Sequence, residues 1–110
     1  MKIPETPFTL VNWAELPPTI YPGETGRAEW REINLGDLRI RQVAYSPDYV
    51  ADHWCDRGHI LYVLSGELTI ELGNGRSFIL SPGSSFHVSD YGDAPHRACS
   101  RQGALVFIVD

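Results

Sequence analysis

The stretch "DHWCDRGHILYVLSGE", residues 52 to 67, gathers two histidines and a cysteine at even spacings before a run of strand-forming residues. Side chains on an extended chain alternate with period two, so His53, Cys55, Arg57 and His59 share one face if the segment is a strand. Three of these four can ligate a metal. A further histidine, His96 in "APHRA", opens another short apolar run. Imidazole and thiolate donors bind an ion only when they are aimed at one point, and rigid strands aim better than loops. The expectation is that His53, His59 and His96 converge on one divalent ion, with Cys55 either a fourth ligand or packed beside it.

Each residue also has a plainer reading. A histidine can be a hydrogen-bonded core group, and a free cysteine is often a small buried hydrophobe. A thiolate ligand needs a lowered pKa, which a metal or a charged imidazole supplies. His87 lies between Phe86 and Val88, which look like the core pair, and reads as a surface or inter-sheet polar group. Cys99 has odd parity relative to His96 and should point the other way. Asp52, Asp56, Asp90 and Asp93 read as turn carboxylates that bind local backbone donors. Arg57 reads as a rim residue, solvated or within reach of an anionic substrate. Trp54 and Tyr62 should face away from the ligands.

These side chains require elements to hold them. Residues 1–24 carry Pro4, Pro7, Pro17, Pro18 and Pro22, which interrupt helix and central strand alike. This part reads as an extended arm packed on the domain, with one helical turn at "WAEL". Residues 25–110 read as a single β domain. Its apolar or alternating runs fall at about 26–34, 38–45, 59–64, 67–72, 76–80, 84–89, 95–99 and 104–109, separated by turn residues. Asn74-Gly75 marks the clearest hairpin, and "LSGEL" and "SPGS" mark two further turns. Eight short strands at this spacing make a sandwich or small barrel, mainly antiparallel. "ILYVL" is apolar on both faces, so its outer face should be covered, by the arm or by a second copy in a homodimer.

Composition narrows the partners. The chain has 110 residues, 43% of them hydrophobic, enough for one core and too few for two. A formal charge of -5, with scattered basic residues, argues against nucleic acid or an anionic membrane as partner. The N-terminal stretch has no apolar run suited to a signal peptide or a spanning helix, which points to the cytoplasm. There the two cysteines should stay reduced.

The pattern H53-W-C55-x3-H59-x6-G66, followed by "PG" at 82–83 and by P95-H96, resembles the two signature motifs of the cupin superfamily. Together with "TGRAEWR" and the terminal "FIVD", it is similar to the small cupins named for a DHCW motif, over the chain from about Tyr21. The resemblance implies a jelly-roll barrel with a metal between its strands. In it, Cys55 stands at the second histidine of the first motif, His59 at the glutamate, and His96 at the histidine of the second motif. Loss of the glutamate shifts preference from iron or manganese towards zinc, nickel or copper, and a Cys55 thiolate strengthens that shift. Zinc, nickel, copper and iron all remain candidates.

Two function classes follow. One is a metal-dependent enzyme of oxygenase or isomerase type acting on a small polar organic molecule at an open coordination position. The other is a non-catalytic module that binds or senses a metal or a small ligand. No general base beyond the ligands can be named.

Overall fold

Turn residues divide the chain into ten short strands and one 3₁₀ turn, Trp13–Glu15, in the computed structural model, which describes residues 2–110. The strands are β1 (Thr19–Pro22), β2 (Arg27–Leu35), β3 (Leu38–Tyr45), β4 (Tyr49–Val50), β5 (His59–Gly66), β6 (Leu68–Leu72), β7 (Ser77–Leu80), β8 (Ser85–Val88), β9 (His96–Ser100) and β10 (Ala104–Val109). Eight of them match the expected runs to within one or two residues. The exceptions are β1, which adds an edge strand from the arm, and the two-residue β4.

All strand pairs are antiparallel. One sheet runs β1-β2-β3-β10-β5-β8 and the other β4-β9-β6-β7. The last long strand, β10, is inserted between β3 and β5, so the sheet cannot be a simple meander and has the crossed order of a jelly roll. The apolar core lies between the layers, with Val43, Val63, Leu68 and Val106 fully buried.

Alternation sets which residues face inward. In β5, Leu61 and Val63 are buried while Ile60, Tyr62 and Leu64 are exposed, and His59 shares the inward parity. In β10, Ala104, Val106 and Ile108 point into the core, and Asp110 continues their series. In β3, buried Arg41 and Val43 are inward, with Arg39 and Tyr45 in the same phase.

In the arm, residues 19–22 join the sheet by pairing with β2, and all four are exposed. Further along it, Trp13 meets Phe107 edge-on, with ring centroids 5.7 Å apart, and the Arg31 Nε–H donates to the Leu16 carbonyl at 3.0 Å. Phe8 and Leu10 are exposed, and so is the outer face of β5.

Turn chemistry closes the ends. The β6–β7 hairpin forms at the expected place, with Gly75 alone left-handed at φ 94°. Gly66, at φ 78°, sits where the chain passes from the first sheet to the second, and a Cβ there would overlap the Gly103 carbonyl, whereas one on Gly75 would meet open space. Both positions favour glycine, but only Gly66 is also sterically closed. Gly66→Ala is therefore expected to lose more than about 1 kcal/mol of stability, and more than Gly75→Ala. Urea unfolding of the two variants side by side checks this order.

Candidate metal centre

The structure brings Cys55, His59 and His96 together, with their ligand atoms all within 4.8 Å of one another. Each arrives by a different route. His59 opens β5 and shares the inward phase of Leu61 and Val63. His96 opens β9 and is buried. Cys55 belongs to neither strand. It forms an isolated bridge with His96, in which the Cys55 N–H donates to the His96 carbonyl at 2.8 Å and the His96 N–H returns to the Cys55 carbonyl at 2.9 Å.

His53 departs from the expected convergence. The chain bends at Asp52 and His53, and β5 begins only at His59, so the period-two argument does not run across the segment. The His53 side chain is 77% exposed, and its Nδ1 pairs with Asp52 Oδ1 at 2.6 Å. His53 stands at the rim of the cavity that the other three line. Cys55 comes inside because its backbone is pinned to β9, not because it shares a strand with His59.

Among the remaining residues, His87 is exposed, and Cys99 points away towards Glu71, with both cysteines free. Asp90 and Asp93 bind the backbone N–H groups of Gly58 and Ala94. Trp54 lies under the Arg97 guanidinium, 4.6 Å from carbon to ring centroid, and Tyr62 faces outward.

Behind the cluster lies a group that spacing alone did not single out. Asp110 Oδ2 is 2.9 Å from His59 Nδ1. The same carboxylate receives the Arg39 Nε–H and Nη2–H at 3.0 and 2.9 Å, and the Arg41 Nη2–H at 3.1 Å. Its side chain is 5% exposed. Burial pushes the Asp110 carboxyl up, but the Arg39 hydrogen bonds and the charges of Arg41, Arg39 and His59 outweigh it and hold its pKa at about 2. An ionised carboxylate only accepts, so the proton on this contact sits on His59 Nδ1. The Nε2 lone pair is thereby left facing Cys55, whose Sγ is 3.8 Å away. A carboxylate that fixes the tautomer of a ligating histidine is a recurrent support for metal sites.

Protonation favours ligation as well. Burial pushes the His59 pKa down, helped by His96 and Arg41 and opposed by Asp110. Burial also lowers that of His96, against the pull of Asp56. Neutral imidazoles are the form that binds metals. The His59 and His96 rings stand edge-to-face with centroids 5.0 Å apart, and Phe86 packs against His96.

Two nitrogens and one sulfur fit a borderline-soft divalent ion such as zinc, nickel, copper or iron. Donors in a tetrahedral site with ordinary bond lengths lie about 3.3–3.6 Å apart. The Cys55–His59 contact is close to that spacing already, at 3.8 Å, and the cluster as a whole lies within 4.8 Å. Three protein ligands would leave a bound ion a further coordination position.

Neither a protein-family profile nor a curated protein matches this chain. Solved structures do. A polyketide cyclase from Streptomyces resistomycificus superposes with a TM-score of 0.76 at 20% identity, over 93% of this chain and 78% of its own. A cupin-like protein from Thermotoga maritima gives 0.63 at 19% identity, over 77% and 68%. The fold is the cupin fold. An ectoine synthase from P. lautus, with a TM-score of 0.71 at 13% identity over 93% of this chain and 76% of its own, extends the same likeness.

Within this fold, Asp110 carries a testable load. Its pKa of about 2 lies below the ordinary 3.8, so the unfolded chain takes up the proton first as pH falls. The stabilisation is complete above about pH 4 and is lost on the way down to about pH 2, amounting to roughly 2 kcal/mol. Asp110→Asn should flatten this acid limb in urea unfolding followed from pH 5 to pH 2. At neutral pH it should lose about 3–5 kcal/mol, because two guanidinium groups are left without their carboxylate.

Proposed function

We propose that this protein is a metal-dependent cupin that acts on a small polar organic molecule, with Cys55, His59 and His96 as the ligands. The observation that carries the reading is the convergence of these three donors within 4.8 Å on the wall of one interior cavity. When bound, a divalent ion supplies Lewis acidity and an exchangeable coordination position. The chain supplies the rest. Asp110 orients His59, the reciprocal backbone bonds fix Cys55 against His96, and Phe86 shields one side of the His96 ring. Tyr45 and Tyr49 also line the cavity. Burial raises both phenol pKa values, so they are neutral hydrogen-bond donors and not bases.

Enzymes with this fold, such as the polyketide cyclase and the ectoine synthase, support turnover as the first reading. The second reading is binding or sensing without turnover. A cobalt-substituted sample tests for the open position that turnover requires. A visible spectrum that responds to added azide marks an open position, and an unresponsive one marks a closed, structural site.

Protein purified without added metal should carry about one equivalent of a divalent ion per chain by elemental analysis. His96→Ala and Cys55→Ser should lose it while remaining folded, and His53→Ala should keep it. Loss in His53→Ala with retention in Cys55→Ser would overturn this ligand assignment.

A homodimer also belongs to this reading. Its support is the exposed apolar row Ile60, Tyr62 and Leu64 on β5, which the arm of the same chain leaves in solvent. Sedimentation equilibrium at micromolar concentration should give twice the 12.3 kDa chain mass. A single species at chain mass would exclude it.

A further inference from the structure

The cavity in front of the Cys55–His59–His96 cluster has a volume of about 160 Å³. Three arginines, Arg39, Arg41 and Arg97, line it, and no acidic side chain does. This is unexpected inside a chain whose formal charge is -5. Two of the arginines are matched from behind. Arg39 is held through two nitrogens by Asp110, with Glu32 at 3.8 Å, and Arg97 is held through two nitrogens by Glu71.

Arg41 is not matched in this way. It is 4% exposed, and its one polar contact, at 3.1 Å, is to Asp110 Oδ2, an oxygen already engaged by Arg39 and His59. Its Nε–H has no hydrogen-bond partner among the described residues. The Trp30 ring lies 4.4 Å from the guanidinium carbon and offsets part of the missing charge. Arg41 therefore has only a share of the Asp110 carboxylate, whereas Arg39 also has Glu32, and an under-matched buried cation is costly.

We infer that this cavity binds a small monocarboxylate, whose carboxylate lies against Arg41 over Trp30 while the rest of the molecule faces Cys55, His59 and His96. A single under-matched guanidinium calls for a monoanion, and its planar N–H array suits a planar carboxylate. An inorganic phosphate dianion would leave one negative charge without a partner. The inference rests on the proposed function in one respect, that the cluster is the centre the ligand's other end meets. It names the substrate class for that centre. The neighbouring apolar cavity lined by Leu72, Phe78 and Leu80 shares only His96 with the cluster and lacks this cationic wall.

The test is a titration of the full chain, metal-free and zinc-loaded, with pyruvate, pyruvamide and inorganic phosphate, followed by the indole N–H resonance of Trp30. Pyruvate should shift it saturably in both forms, with pyruvamide and phosphate each weaker by about tenfold or more. Arg41→Gln should lose about tenfold for pyruvate, and Arg41→Lys, which keeps the charge without the fork, should fall between. Equal binding of pyruvate and pyruvamide, tighter binding of phosphate, or unchanged affinity in a folded Arg41→Gln would overturn the inference. The ligand comparison uses the unaltered chain, so it decides the matter even if Arg41→Gln fails to fold. The two readings fail separately. Preference for pyruvate in a chain that takes up no zinc removes the metal assignment alone, and zinc uptake without that preference removes only the carboxylate site.

Discussion

A single buried carboxylate holds the functional end of this molecule together. Asp110 joins Arg39 and Arg41 on β3 to His59 on β5, and so couples three adjacent strands through one charge. Backbone bonds between Arg39 and Asp110, at 2.6 and 2.9 Å, bring the charge to that point as an extension of the β3–β10 ladder. Without it, the histidine tautomer would be undefined and the buried Arg41 guanidinium would have no carboxylate partner, while Arg39 would keep only Glu32 at 3.8 Å. The jelly roll supplies the positions, and this ionic contact determines what they present to the cavity.

Much of the architecture could be read in advance because it depends on local signals. Turn glycines and alternating apolar residues locate the eight main strands, since a strand's inward face must be apolar wherever two layers pack. His59 and His96 were legible for the same reason, as each begins a strand whose phase is fixed by buried neighbours. The two-residue β4 and the edge strand β1 were not, because Tyr49–Val50 is too short to show a period and β1 has no buried face.

The departures arise where a residue's place depends on something distant in sequence. Period-two alternation turns His53 inward only along an unbroken strand, and the bend at Asp52–His53 breaks the phase. Cys55 reaches the cluster through a bridge to a residue forty-one positions away, which no local pattern encodes. Asp110 and the two arginines carried a signal that period-two reading contains: Arg39, Arg41, Val43 in one strand and Val106, Ile108, Asp110 in another. Charged residues in phase with an apolar face mark opposite charges that must meet inside.

The reciprocal backbone bonds between Cys55 and His96 have an evolutionary consequence. They locate residue 55 by its main chain, so the position does not depend on what side chain it carries. The half-buried Sγ accepts only one weak bond from its own loop, the Arg57 N–H at 3.4 Å, and lies beside an imidazole. Thiol, imidazole or carboxylate can therefore be exchanged at this position, changing the donor set of the cluster while the main chain stays fixed. Such a site can diversify its chemistry through one codon while the scaffold stays constant.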